Sequence, residues 1–161
     1  MIESERSADG STNPSPAGLA ATDDGRFDPL AFFAIIEGYG HSGALGMRYC
    51  DHGEDWVEVA LPWREALVGV TESGVLATGA IVSLVDLAAS ISVWLKHGLF
   101  VPTVTLDLRI DYLRPASKGE TVFARCRCVK VGRSIAFIEG VAHVGDARDP
   151  IARAALTFMT S

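Results

Sequence analysis

An aspartate lies in the middle of the most apolar stretch of the chain. Asp86 falls within residues 75–98, which otherwise consist mainly of Val, Leu, Ile, Ala and Ser. If this stretch is a helix that turns about 100° per residue, Asp86 shares one narrow face with small or polar residues. That face consists of Gly79, Ser83, Asp86, Ser90 and His97. Such a carboxylate is either satisfied by neighbouring donors or used as a general base or nucleophile. The face would line a pocket or a seam between subunits.

The start of the same helix supplies a second chemical group. The first backbone N–H groups, those of Thr78 and Gly79, have no partner within the helix and lie at the positive end of its dipole. They could polarise a carbonyl, but Asp86 lies two turns away, roughly 10 Å along the axis. The two groups of one helix cannot easily act on the same carbonyl. Two antiparallel helices would bring them together, so we expect a site built from two chains.

Hydrophobic periodicity predicts the elements that position these groups. A short helix over residues 28–40, capped by Asp28, precedes a hairpin that turns at Gly53. The long helix starts near Thr78 and stops at Gly98. Residues 103–112 alternate strictly, with Val104, Leu106, Leu108, Ile110 and Tyr112 on one side and Thr103, Thr105, Asp107, Arg109 and Asp111 on the other. Three further strands are expected over 121–131, 135–144 and 151–159.

This order predicts an α+β fold in which a five- or six-stranded antiparallel sheet wraps one long helix. Residues 1–26 are rich in Ser, Asp, Glu, Gly, Ala and Pro, which predicts a disordered tail followed by one domain over 27–161. The outer face and edges of such a sheet are available to a partner subunit.

Composition excludes several classes of protein. The net charge of −6 argues against binding to nucleic acid or to an anionic membrane. Asp86 and the serines around it argue against a membrane span. The three cysteines, Cys50, Cys126 and Cys128, fit neither a disulfide framework nor a zinc site, so we expect buried free thiols. The histidines show no metal-ligand spacing, so no metal is expected. Without a recognisable secretory leader, the expected compartment is the cytoplasm.

Three motifs carry a resemblance to a known family. They are GVLATGAIVSLVD from Gly74, TLDLRIDYLRPASKGE from Thr105 and VKVGRSIAF from Val129. Over residues 44–159 the chain resembles the hotdog-fold acyl-CoA thioesterases of the PaaI-like type, related to 4-hydroxybenzoyl-CoA thioesterases. The resemblance implies a long helix wrapped by an antiparallel sheet, assembled as a homodimer or a dimer of dimers.

The resemblance also implies roles for individual residues. Asp86 takes the position of the catalytic carboxylate, and Thr105 that of a hydroxyl residue that helps to hold the attacking water. The backbone N–H that polarises the thioester carbonyl is that of Thr78, or of Gly79 beside it. The chain departs from the family pattern at three positions. Ala77 stands in place of the motif His, Thr78 in place of the Gly that follows it, and Thr71 in place of a common Asn.

Basic residues are concentrated in one segment. Residues 109–133 carry seven of the fourteen basic side chains and two acidic ones, a local charge of +5 in a chain of −6. They form either a solvated sheet face or a surface that attracts the phosphates of coenzyme A. The residues expected to contact substrate or coenzyme A are Thr71, Ser83, Arg114, Lys118, Arg133 and Ser134.

Three functions follow as hypotheses. The first is hydrolysis of an acyl- or aroyl-CoA thioester without any cofactor beyond the coenzyme A of the substrate. The second, motivated by the missing His and Asn, is a non-catalytic module that binds acyl-CoA or an acyl ligand. The third is a structural or partner-binding protein.

Overall fold

The computed structural model describes residues 20–22 and 24–160. The predicted disordered tail lies mostly outside the described residues. Ala20 is buried, and its carbonyl accepts a hydrogen bond from the Asp28 N–H at 2.9 Å. An isolated antiparallel bridge joins Ala21 to Phe27. The packed part of the chain therefore includes residues that precede the predicted domain start at residue 27.

Two short helices precede the sheet. α1 spans Pro29–Ile36 and α2 spans Gly40–Leu45. The Asp28 carboxylate accepts a hydrogen bond from the Leu30 N–H at 2.9 Å, which is the cap expected from the sequence. The sequence does not predict α2, because two of its six residues are glycines, which disfavour helix.

Six strands form one antiparallel sheet in the order β1-β2-β6-β7-β8-β5. Their bounds are β1 Arg48–His52, β2 Trp56–Leu61, β5 Thr103–Tyr112, β6 Val122–Val131, β7 Ile135–His143 and β8 Pro150–Thr160. Between β2 and the long helix lie a 3₁₀ turn, Glu65–Leu67, and a small hairpin of β3, Val68–Val70, and β4, Val75–Leu76. The sequence does not predict this hairpin, because its strands are too short to show alternation. β1 and β5 form the two edges of the large sheet.

The long helix α3 spans Thr78–His97 and packs mainly against β2, β6 and β7. Gly98 ends it in the left-handed conformation, with φ 73°, which glycine adopts without strain. Half of its 20 residues are buried against the sheet. Its length and composition alone would also suit a membrane span, but here the apolar face forms the core of the fold. The predicted hotdog architecture, one long helix wrapped by a five- or six-stranded antiparallel sheet, is confirmed, and the sheet has six strands.

An aromatic cluster fixes the C-terminal end of α3. The Trp94 ring lies 5.4 Å from Phe27, 5.2 Å from Phe32 and 4.6 Å from Phe100, measured between ring centroids. Its indole N–H donates to the Val101 carbonyl at 2.7 Å, so the buried ring leaves no unpaired polar group. These contacts join α1 and the β5 connection to the helix.

The predicted assignment of β5 side chains to the two faces of the sheet is wrong for the first half of the strand, because of a β-bulge at Leu106. In the pairing with β8, Thr105 lies opposite Phe158 and Asp107 lies opposite Thr157, so Leu106 is an extra residue. A bulge reverses the alternation of the strand. Thr103 and Thr105 therefore share the inner face with Leu108, Ile110 and Tyr112, whereas Val104 and Leu106 are exposed on the outside.

The cysteines are free, as predicted. Cys126 and Cys128 point inward from β6 and are fully buried, and Cys50 is half-buried. Burial raises the pKa of Cys126 to about 12 and that of Cys128 to about 11. At neutral pH these two thiols carry almost no thiolate and are chemically inert.

Candidate active site

Asp86 lies on the side of α3 that the sheet leaves partly open. It is half-buried, like Ser83 and Ser90 on the same face. The Thr105 hydroxyl donates a hydrogen bond to Asp86 Oδ1 at 2.8 Å. The bulge at Leu106 makes this contact possible, because without it Thr105 would face outward. The two residues that the resemblance implied for the carboxylate and its hydroxyl partner are therefore brought together.

The first turn of α3 presents free backbone donors. Ala77 occupies the N-cap position, where it has no side chain to accept a hydrogen bond from the first N–H groups. Thr78 and Gly79 are both exposed. An uncapped helix N-terminus offers N–H groups and a positive dipole end to an oxygen that carries negative charge.

Two side chains, one from β5 and one from α3 itself, bind the carbonyls of this turn. The Tyr112 hydroxyl, at the end of β5, donates to the Thr78 carbonyl at 3.1 Å. The Ser83 hydroxyl donates to the Gly79 carbonyl at 3.1 Å. His41 Nε2 of α2 lies 3.0 Å from the same Ser83 hydroxyl oxygen. No sequence pattern predicts a role for Tyr112 or His41 at this site. The one available signal was His41 in the sequence Gly-His-Ser-Gly, because this histidine belongs to no apolar pattern.

Two cavities flank the start of α3. One, of about 220 Å³, lies between α2, the 3₁₀ turn and the helix, and its polar lining includes His41 and Ser83. The other, of about 300 Å³, lies on the side of β5 and is lined in part by Thr78, Tyr112 and Arg114. A group bound at the first N–H groups would have room on both sides.

The residues expected to contact coenzyme A lie at the two opposite ends of β5. Arg114 lies near the helix start and forms an ion pair with Asp149 at 3.5 Å. Lys118 lies against Gly74 in the turn between β3 and β4, and Thr71 is exposed in that same turn. Ser134 lies at the other end, where its carbonyl accepts from the Thr160 N–H at 3.0 Å.

Ser134 lies near the start of β5, because its partner Thr160 pairs with Thr103, the first residue of that strand. Arg133, the neighbour of Ser134, lies there too, whereas Arg114 follows the last residue of β5. A ten-residue strand spans about 30 Å. One chain therefore does not bring Arg133 and Ser134 together with Arg114 and Lys118.

Carboxylates from other segments and from within the segment neutralise part of the basic segment. Arg125 lies 4.0 Å from Glu58, and Arg127 lies 3.1 Å from Asp55. Arg109 pairs with Asp111 at 3.1 Å. These arginines project from the outer face of the sheet, which agrees with the alternative of a solvated face for this part of the segment.

Comparisons with known proteins agree with this geometry. The family model of the thioesterase superfamily matches residues 73–151, which include all of α3 and β5. The "Putative esterase" of Haemophilus influenzae is 34% identical over 93 residues, which make up 56% of this chain and 64% of the relative. The chain therefore matches just under two thirds of that relative's length.

Residues 73–151 match the thioesterase superfamily, and the chain shares the hotdog fold of its solved structural neighbours. A crystal structure of a Pseudomonas aeruginosa protein, 30% identical, superposes with a TM-score of 0.70 over 90% of this chain and 98% of that one. A thioesterase structure from Haemophilus influenzae, 24% identical, shares the fold with a TM-score of 0.72 over 82% of this chain and 90% of that one. The resemblance drawn from the three sequence motifs is confirmed.

The match to the thioesterase superfamily and to a putative esterase supports hydrolysis of a thioester in general. Ala77 fills the position of the motif His, and it lines the smaller cavity. The polar groups around the helix start are instead His41, Ser83 and Tyr112.

We expect Thr105→Val to slow thioester hydrolysis about tenfold, because it removes one hydrogen bond to a carboxylate and nearly preserves side-chain shape. Thr105→Ser keeps the hydroxyl and should retain most of the rate. Steady-state kinetics of the three proteins check this. Equal rates for Thr105→Val and the wild type would show that the hydroxyl has no part in the reaction.

Proposed function

We propose that the protein is an acyl-CoA thioesterase whose site is shared between two chains. The Asp86 carboxylate, hydrogen-bonded by Thr105, is the observation that carries this proposal. It lies on the partly open face that continues to the uncapped start of α3. The first N–H groups of one chain bind the thioester carbonyl oxygen, and the partner subunit's Asp86 promotes attack on the carbonyl carbon.

Two routes use these groups. With Asp86 as general base, a water adds to the carbonyl carbon while its proton passes to the carboxylate. With Asp86 as nucleophile, a carboxylate oxygen displaces coenzyme A and forms a mixed anhydride, which water then hydrolyses. In both routes negative charge develops on the carbonyl oxygen, where the backbone N–H groups stabilise it. The C–S bond breaks, the thiolate takes up a proton, and the products are a carboxylic acid and coenzyme A. No cofactor takes part.

The distance between the helix start and Asp86 within one chain supports a site that two chains share. Gly79 and Asp86 are seven residues apart on one helix, about 10 Å along the axis. A carbonyl bound at the helix start is therefore out of reach of the same chain's carboxylate. An antiparallel partner helix removes this difficulty, because each Asp86 then faces the other chain's first turn. The resulting homodimer could pair again as a dimer of dimers.

The edge strand β5 suits such a dimer. One of its sides is unpaired within the described chain, and a long unpaired edge readily adds another strand. Two antiparallel β5 strands would bring Arg114 and Lys118 beside the partner subunit's Arg133 and Ser134. This surface would bind the phosphates of coenzyme A, with Thr71 at its margin.

The cavity beside Ser83 suits a compact acyl group. Its volume is about 220 Å³. For comparison, a buried apolar cavity of about 150 Å³ accommodates benzene. We therefore place the acyl group beside α2, with Ser83 as a polar contact, and the coenzyme A portion on the Arg114 side.

A non-catalytic acyl-CoA binding module is the second candidate. The Ala77 methyl group, in place of the motif imidazole at the cavity wall, favours it. Calorimetry with a non-hydrolysable acyl-CoA separates the two functions. Tight binding without turnover identifies the module, whereas turnover above background excludes it.

We expect the wild type to hydrolyse a compact acyl-CoA and Asp86→Asn to lose at least about a hundredfold in kcat, since the amide is neither base nor nucleophile. Release of thiol, followed with Ellman reagent over a panel of acyl- and aroyl-CoAs, measures both. The inert Cys126 and Cys128 should contribute little background. Asp86→Asn with the wild-type rate would remove Asp86 from the mechanism.

Gly79→Ala should change stability and activity in opposite directions. A Cβ at Gly79 meets no atom within 4 Å, and alanine favours helix over glycine by up to about 1 kcal/mol. The melting temperature should hold or rise. Activity should fall, because the methyl group occupies the space through which a carbonyl reaches the first N–H groups. A Gly79→Ala protein with full activity would show that this space is not used by substrate.

A further inference from the structure

The Tyr112 hydroxyl is bonded to the one peptide unit that carries the Gly79 N–H. It donates to the Thr78 carbonyl at 3.1 Å. A peptide unit is planar and contains the carbonyl of one residue and the N–H of the next. Fixing the Thr78 carbonyl therefore fixes the direction of the Gly79 N–H, one of the two donors proposed for the thioester carbonyl.

The same bond also acts on the strength of this donor. A hydrogen bond accepted by a peptide carbonyl polarises the unit, and bonds in such a chain strengthen one another. The Gly79 N–H becomes a better donor when Tyr112 is bonded to the Thr78 carbonyl. This gain is largest when the bound oxygen carries the most negative charge, which is in the transition state.

Beyond the backbone bonds of the helix itself, side chains add few other constraints to the first turn. Ala77 provides no side-chain cap, and Gly79 has no side chain to pack. The next carbonyl, that of Gly79, accepts from Ser83, but its peptide unit carries the Ala80 N–H, which is already bonded to the Ala77 carbonyl at 3.1 Å. Among the side-chain contacts of the turn, the Tyr112 bond alone acts on the peptide unit that carries the Gly79 N–H.

Tyr112 is suited to this task. It is anchored at the end of β5, directly after the strand residues that face α3. Partial burial raises the pKa of its hydroxyl above the ordinary value, so the group remains a donor throughout the neutral and mildly alkaline range. Its exposure of 42% means that the fold depends little on the hydroxyl.

We propose that Tyr112 is a positioning residue for the reaction: through the Thr78 carbonyl it orients and polarises the Gly79 N–H that binds the thioester oxygen. This inference rests on the proposed function and assigns the main carbonyl donor to Gly79. It predicts an effect on kcat rather than on KM, because the interaction strengthens as charge develops.

Tyr112→Phe removes one oxygen atom and tests the inference. We expect kcat to fall about three- to tenfold with KM within about twofold of the wild type, as for loss of one neutral hydrogen bond. Tyr49→Phe is the matched control. It also removes a hydrogen-bonded hydroxyl, 2.7 Å from His52 Nδ1, but on β1. It should leave kcat unchanged. The Gly79 amide resonance in a ¹H–¹⁵N spectrum should move in Tyr112→Phe and not in Tyr49→Phe.

Failure of the proposed function and failure of the role of Tyr112 give different results. If the wild type hydrolyses no thioester in the panel, the proposed function falls and this inference falls with it. If the wild type is active and Asp86→Asn is not, an unchanged kcat in Tyr112→Phe overturns this inference alone. A change confined to KM also overturns it, because Tyr112 would then contact the substrate and not act through Thr78.

Discussion

Burial of one face of α3 against the sheet is the interaction on which the rest of the structure depends. Residues such as Leu84, Val85, Ala88 and Ile91 are fully or almost fully buried there, and no other helix of the described chain offers comparable apolar area. This packing fixes the rotation of the helix about its axis. Asp86 is therefore held on the remaining, partly open face, in line with Gly79 at the helix start.

The length of the helix then determines what one chain can do. Its first N–H groups and Asp86 lie on the same face but about 10 Å apart along the axis. Neither group can move toward the other without disrupting the core. A reaction that needs both a carbonyl donor and a carboxylate is therefore best served by two helices that face each other. The free edge of β5 offers a way to assemble them.

Much of the fold could be predicted from the sequence because its signals are long. The helix is 20 residues long and the alternation of β5 runs over ten residues. Regular hydrophobic patterns of this length rarely occur in loops. Asp86 and Thr78 could be selected for the same reason, since a carboxylate in an apolar helix and the start of that helix are visible in the residues. α2 and the β3–β4 hairpin could not, because their segments are too short to show a period.

The bulge at Leu106 shows where sequence reasoning fails. Strict alternation would put Thr105 on the outer face, and only the pairing with β8 reveals the extra residue. The bond from Tyr112 to Thr78 is equally invisible, because it joins residues 34 positions apart through tertiary packing. Local pattern identifies the carboxylate and the helix start, whereas the side chains that orient them depend on how distant segments meet.

The most direct test of the shared site is to mix two impaired proteins, one altered at the carboxylate and the other at the helix start. Asp86→Asn chains and Gly79→Ala chains are unfolded together, refolded as hybrids and assayed for thioester hydrolysis. In a random mixture about one quarter of the sites would combine an intact Asp86 with an intact first turn from the other chain. We expect the activity of the mixture to rise above the mean of its two parents, because the intact sites contribute about that fraction of the wild-type value. If verified hybrids are no more active than the mean of their parents, the carboxylate and the helix start do not act across two chains.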